Sequence, residues 1–482
     1  MMRLTWLQPE DLLPHEFRQA EEEGRDVTEA VTRWLAAGGC AAPPRSGASP
    51  TRASPQLRAL AEDLLTELGQ DLEDETAPAH PQPVRRLRTR REAPTSGGPG
   101  AAAPGSGRGG PGEPPAGHQP RVHAAWLGRA AGCLLGKPVE KLPLEGIRAL
   151  AKATGNWPLT TWFTARDVPR ELLTTYPWNR RSAPTSLAEN IDGMPEDDDL
   201  NYPLLNLLLL QRHGKAFTTH DVAALWLEEL PAARTFTAER VAYRNLLNGV
   251  PPPRTARHHN PFREWIGALI RADVHGWTNP GDPDAAAEQA YRDACLTHTG
   301  NGVYGAMFAA ATVATAASGT ADVHASLAAG LDAVPPDSRL AGAVRRGIRL
   351  AGEHRDFDAV VDRLHAEFGG YHWVHVVPNA ALLAAALTHA DGDFTASITR
   401  VVSGGWDTDS NGATAGSVAG LLAGRPDALP ERWTAPLRNR LATSVGGFHG
   451  TGFDTLAALT ARLTTAPAPP TADPTPQEAP RP

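Results

Sequence analysis

The sequence predicts an all-α protein. Its long patterned segments are rich in alanine and leucine, which favour helix, and the β-branched alternation of strands is scarce. Stretches rich in Pro, Gly and Asn separate these segments, and no internal repeat is evident.

In chain order, Val27–Leu35 and Pro55–Leu72 place apolar residues at helical spacing and predict a short helical N-terminal module over residues 1–74. Residues 75–120 are dominated by Pro, Gly, Ala and Arg with almost nothing large and apolar to bury, the composition of a disordered linker. Its basic run VRRLRTRRE, Val84–Glu92, reads as a solubilising charge run rather than a contact for an acidic surface or nucleic acid. Order resumes near Val122, in HAAWLGRAAGCLLGKPVE, and a single domain is expected over residues 121–465. Within it helices are predicted at Leu200–His213, Asp221–Glu229, Ala285–Leu296, Val303–Ala317, Ala380–His389 and Thr414–Leu422. Asn248–Pro261 and Trp277–Asp284 read as loops long enough to line a cleft, and residues 466–482 as a disordered tail.

Composition narrows the function. A formal net charge of −8 over 482 residues gives a field that repels nucleic acid and anionic membranes. Three cysteines, Cys40, Cys133 and Cys295, suit a reducing compartment and cannot build a four-thiolate zinc site. The first residues break their apolar pattern at Pro9, Glu10 and Asp11, unlike the core of a signal peptide. No stretch approaches the roughly 18 apolar residues that span a bilayer, so a cytoplasmic protein is expected.

Two acidic clusters carry the candidate chemistry. PEDDDLNY (195–202) and GGWDTDSNGATAG (404–416) each lie immediately before a predicted helix. Taken singly, such acids are helix caps. Together they do more: Asp407 and Asp409, alternate residues in an extended turn, can point the same way, and adjacent acids among Asp197, Asp198 and Asp199 can grip two neighbouring ions. So many hard oxygen ligands repel one another unless divalent cations sit among them. Carboxylate, hydroxyl and water ligands favour Mg²⁺, Mn²⁺ or Ca²⁺ over zinc.

These residues carry a family resemblance. GRAAGCLLGKPVE (128–140), EDDD (196–199), LTHTGNGVYGAM (296–307) and GGWDTDSNGATAGSVAG (404–420) are similar, in type and order, to the motifs of the ADP-ribosylglycohydrolase family. The resemblance spans nearly all of the expected domain. It implies an all-helical fold holding two Mg²⁺ ions, with Mn²⁺ as a substitute, ligated by two acids of the Asp197–Asp199 run, Asp407, Asp409 and the Ser410 hydroxyl. Glu140 falls where the family carries a mobile acid near the scissile bond, placed to deprotonate water, and joins Asp198 and Asp409 as the catalytic set.

The resemblance also implies that His298 and Asn301 sit near ribose or phosphates and that Arg271 binds the diphosphate. The other reading of Arg271 is an interior salt bridge with Asp273 or Glu264. The sequence departs from the family at the threonines flanking its acid pair, replaced by Glu196 and Asp199 in one register or by Asp197 and Leu200 in the other. Trp406 replaces the second glycine of GGDTD, either stacking on a substrate base or filling the core. The implied activity is hydrolysis of the bond from an ADP-ribosyl anomeric carbon to nitrogen or oxygen, in a protein- or metabolite-linked substrate. The alternatives are an N-ribosyl hydrolase acting on a small nucleoside, nucleotide or NAD-derived metabolite, and a non-catalytic ADP-ribose-binding module. Every implied ligand lies beyond Val122, so residues 1–120 are expected to be dispensable for the chemistry.

Overall fold

The computed structural model describes residues 7–44, 46–49, 51–74 and 116–465. Among them the regular structure is helical, and two isolated bridges, Met194 to Leu441 and Trp265 to His375, stand in place of any sheet. The six expected core helices are present as Asp198–His213, Thr219–Glu229, Pro283–Ala294, Gly300–Ala317, Val376–Ala390 and Thr408–Ala423. No helix among the described residues is long and apolar enough to cross a membrane.

The fold is organised around two antiparallel helices, His118–Gly136 and Thr408–Ala423, whose backbones touch. A Cβ on Gly132 would stand 1.8 Å from the Gly412 carbonyl oxygen, and one on Gly128 2.1 Å from that of Gly416. Any side chain there would force the helices apart, so the small-residue motifs are a packing requirement. The register sets the end of the first helix over the start of the second, where Thr408 Oγ1 donates to the Gly136 carbonyl at 2.8 Å. The turn after the first helix carries Glu140, and the turn before the second carries Asp407. The crossing therefore brings two distant motifs to one place. Behind it, Trp126 and Trp277 pack at 4.6 Å, and their indole N–H groups donate to Thr460 and Ser417.

Helix Asp198–His213 presents its N-terminus to the same place. Asp197 caps it, accepting from the Asp199 N–H at 2.9 Å, while Arg212 and His213 favour its C-terminal end. Pro203 has no N–H to give to the Asp199 carbonyl four residues back. The buried Arg129 Nε takes that role, donating to the Asp199 carbonyl at 2.8 Å.

The N-terminal segment differs from expectation. A helix at Pro9–Glu22 precedes the two expected ones, Thr28–Ala36 and Pro55–Asp74; Pro9 in its first turn, followed by Glu10 and Asp11, is a helix start rather than a break in pattern. Leu12, Leu13, Trp34 and Leu64 belong to the same apolar core as the central helices. Arg263, 1 % exposed, pairs with Glu16 at 2.6 Å and Glu23 at 2.7 Å, and Gln19 donates to Glu264 at 3.1 Å. Helix His118–Gly136 starts inside the expected linker and buries His118, so residues 118–120 are structured. The rest of that linker, 75–115 with its basic run, and the tail 466–482 lie outside the described residues.

Candidate metal centre

The helix crossing assembles two groups of acids. In the first, oxygens of Glu140, Asp407 and Asp409 lie within 4.8 Å of one another; in the second, Cys133 Sγ and oxygens of Asp197 and Asp199 do the same. Ser410 bridges toward the second group, donating from Oγ to Asp199 Oδ2 at 3.2 Å. Asp198 is half-buried, whereas Asp197, Asp199, Asp407, Asp409 and Ser410 are buried. The structure thus gathers Glu140, Asp407 and Asp409 in one group and Asp197 and Asp199 in the other, with Asp198 close enough to feel the charges of Asp197, Asp409 and Glu140.

Like charges this close and this dry resist ionisation. Burial, then the Asp409 and Glu140 carboxylates, push Asp407 well above the usual carboxylate range. Burial and the charges of Asp197, Asp409 and Glu140 do the same to Asp198. Asp409 is raised to about 7 by burial, Glu140 and Asp197. Burial and Asp197 raise Asp199, although Arg129 opposes them. Asp197 alone moves the other way: burial pushes it up, but the Lys137 ammonium holds it below its ordinary value.

Side chains that sequence reasoning missed hold this arrangement. Lys137, in the turn leading to Glu140, pairs with Asp197 Oδ2. Arg129 bridges Asp199 at 3.3 Å and Asp273 at 2.8 Å. Asn179 donates to Glu140 Oε2 at 2.7 Å, and Lys141 pairs with its other oxygen. Asn379 accepts from the Asp407 N–H at 3.1 Å and from Asn411 Nδ2 at 2.6 Å, fixing the turn. Two basic residues inside GRAAGCLLGKPVE, among small and apolar neighbours, were the available signal for Arg129 and Lys137. Glu196 turns away from the centre, accepting from Ser444 N–H at 2.9 Å and pairing with Arg234 at 2.7 Å.

The expected substrate contacts lie elsewhere. Arg271 is fully buried and forms an interior salt bridge, as its other reading allowed, but with Asp293 at 2.8 Å and Glu239 at 3.1 Å. Its guanidinium also donates to Thr297 Oγ1 at 2.9 Å, so its donors are committed inside the protein rather than offered to a diphosphate. His298 is buried, with Nδ1 2.6 Å from Thr297 Oγ1 and Nε2 3.9 Å from Glu239. Burial and the Arg271 charge keep it neutral, well below its ordinary pKa. Asn301 donates twice to Glu264 at 2.8 Å and accepts from the Leu340 N–H at 2.9 Å, joining two helix starts. Trp406 stacks on His365 with ring centroids 4.1 Å apart and planes 8° apart, and is 7 % exposed. It fills the core beside the acidic turn and leaves no open face for a base. An open cavity of about 420 Å³ does exist, lined by Leu173, Pro177, Trp178, Arg180 and Leu187 among others. It flanks Asn179 and contains none of the acids.

The family model described as ADP-ribosylglycohydrolase matches residues 114–470. No curated protein matches the chain. Among solved structures, one described as an ADP-ribosylglycohydrolase-related protein complex is similar, with 20% identity and a TM-score of 0.44, covering 72% of this chain and 98% of that one. The match takes in all four motifs, and the chain belongs to the ADP-ribosylglycohydrolase family, hydrolases that act on glycosyl bonds.

Proposed function

We propose that this chain hydrolyses the bond between the anomeric carbon of an ADP-ribosyl group and the nitrogen or oxygen of its leaving group, at a centre holding two divalent cations, Mg²⁺ in the first place. The observation that carries this is the convergence of half-buried Glu140 with buried Asp407 and Asp409. The donor set fits such ions. No described ion pair reaches Asp198, Asp407 or Asp409, and all the donors except Cys133 are hard oxygens. Charge balance fits as well. Among the described residues, the ion pairs of Glu140, Asp197, Asp198, Asp199, Asp273, Asp407 and Asp409 are with Lys137, Arg129 and Lys141, which leaves four negative charges, the complement of two divalent ions.

Divalent ions bound there supply positive charge that orients ribose hydroxyls and acidifies water. Glu140, the half-buried acid of its group, is oriented by Asn179 and Lys141 and takes the proton of the attacking water. The water oxygen bonds to the anomeric carbon, and the electrons of the broken bond leave with the nitrogen or oxygen, which takes the proton that Glu140 removed from water and so restores the carboxylate. Asn379 and Ser410 hold the acidic turns in place during this exchange. ADP-ribosylated protein is the substrate proposed first.

The test is release of ADP-ribose from arginine- and serine-linked ADP-ribosyl peptides and from a small N-riboside, with Mg²⁺, Mn²⁺ or EDTA. Release from a peptide that EDTA abolishes is expected. Release from the N-riboside alone would select the metabolite hydrolase. Retained ADP-ribose binding without any release would select the binding module, and release that EDTA leaves intact would end the metal mechanism.

A further inference from the structure

Lys137 is 6 % exposed, in the turn Lys137–Val139 that delivers Glu140 to the centre. An ammonium buried this deeply costs several kcal/mol unless it is paired. Its partner is Asp197, and the pairing consumes that residue. Asp197 Oδ2 meets the Lys137 ammonium, while Oδ1 accepts from the Asp199 N–H at 2.9 Å as a helix cap. Asp198 has no such cation, and Asp199 shares Arg129 with Asp273 and keeps contact with Ser410. Three adjacent acids are therefore not equivalent.

The surroundings of Lys137 sharpen the point. Cys133, Asp197 and Asp199 form a buried three-ligand cluster. Burial and the charges of Asp197 and Asp199 keep Cys133 a thiol, but a thiol that can lose its proton to metal beside two carboxylates is a set that soft divalent ions such as Zn²⁺ and Cd²⁺ occupy readily. The Lys137 charge is felt by the Cys133 thiol as well as by Asp197. We propose that Lys137 is a resident cation that occupies the Cys133–Asp197–Asp199 cluster, excludes thiophilic metal from it, and withdraws Asp197 from coordination, leaving Asp198 and Asp199 as the acids of that run that hold metal. This rests on the divalent-metal reading of the centre.

Calorimetric titration of the full chain with Mn²⁺ and with Cd²⁺ tests it, without recourse to turnover. Asp197→Asn should keep Mn²⁺ affinity within about threefold of wild type, whereas Asp198→Asn should weaken it by more than about tenfold, or ~1.4 kcal/mol. Lys137→Met should take up one more equivalent of Cd²⁺ than wild type, with a thiolate-to-metal absorption band that a further Cys133→Ser change removes. Equal losses in Asp197→Asn and Asp198→Asn would make Asp197 a ligand and overturn the proposal. So would a folded Lys137→Met protein that gains no Cd²⁺. Should Lys137→Met not fold, the comparison of the two aspartate variants decides the question. Wild type that takes up no Mn²⁺ would overturn the metal reading and its ligand assignment, while the Cd²⁺ titration still reports whether Lys137 guards the cysteine cluster.

Discussion

Replacing Asp409 with Asn removes one charge from the most crowded part of the centre, and the sign of the effect depends on metal. In the metal-free fold Asp409 is raised from 3.8 to about 7, first by burial and then by Glu140 and Asp197. The folded protein therefore keeps a proton that the unfolded chain releases, and the contribution of Asp409 to metal-free stability declines as pH rises from about 4 to about 7 and then levels off. At about 1.4 kcal/mol per pH unit the full span is about 4 kcal/mol, a cost the amide does not carry. Metal-free Asp409→Asn should thus melt above wild type at about pH 8, by several degrees at roughly 2 °C per kcal/mol. Divalent ions reverse the order, because each of two ions at one hundred times its Kd adds about 2.7 kcal/mol to a protein that binds both, and their sum of about 5.4 kcal/mol exceeds the cost of the charge. The signature is a crossing in calorimetric scans, with the variant higher in EDTA and lower in excess Mg²⁺. A variant that melts at or below wild type in EDTA at every pH, or equal Mg²⁺ shifts in both proteins, would refute the reasoning and return these acids to the role of helix caps.

Glu140→Gln should lower kcat by at least about tenfold while ADP-ribose affinity, measured by calorimetry, changes by less than about threefold, since a base acts beyond ground-state binding. Unchanged kcat would make Glu140 a surface acid. Arg271→Met leaves Asp293 and Glu239 buried without their guanidinium and should cost about 3–5 kcal/mol in denaturant unfolding. If instead stability holds and ADP-ribose affinity falls, the arginine touches substrate after all. Trp406→Gly relieves a positive φ of 54° but deletes the stack on His365; the lost ring should dominate and cost about 3 kcal/mol with ADP-ribose affinity unchanged. A weaker ligand at unaltered stability would show the ring to be a base platform.

Much of this was legible in the sequence, for physical reasons that also explain what was not. Helix class showed because Ala- and Leu-rich stretches such as Val303–Ala317 must bury a face, and that stretch lies inside helix Gly300–Ala317. The convergence of GKPVE with DTDS was signalled by glycines at four-residue intervals, Gly128, Gly132 and Gly136 against Gly412 and Gly416, spacing that only backbone contact explains. Helices Arg339–Glu353 and Phe394–Ser403 escaped notice although each is amphipathic, and each is capped by a side chain, Ser338 and Asp393. Arg271, His298 and Asn301 were placed by likeness to a motif, and a motif does not report which way a side chain points. All three turned inward, to satisfy buried carboxylates and a helix N-terminus.

The N-terminal helices show the same limit, and they carry the last prediction. Glu264 accepts from Gln19 of helix Pro9–Glu22, from Asn301 at the start of helix Gly300–Ala317, and from Arg339. His375 lies 3.3 Å from Glu22 and 3.7 Å from Glu264; burial disfavours its charged form, but both carboxylates raise its pKa above the ordinary value. His375 caps helix Val376–Ala390, accepting from the Val377 N–H, and one turn on Asn379 holds the Asp407 backbone. A continuous set of ion pairs and hydrogen bonds thus runs from the N-terminal helices to the acidic turn. We expect residues 1–120 to matter: a chain beginning near residue 116 loses Glu16, Gln19, Glu22 and Glu23, leaving Arg263 without its anions and His375 with Glu264 alone. It should unfold about 3–5 kcal/mol more easily, and its Mg²⁺-induced rise in melting temperature should shrink as well. Glu22→Gln in the full chain should reproduce the smaller Mg²⁺ response with a lesser loss of stability. If the shortened chain melts at the wild-type temperature with the full Mg²⁺ response, the helices are a separate module; if it is merely less stable, the set of hydrogen bonds supports the fold and stops short of the metal turn.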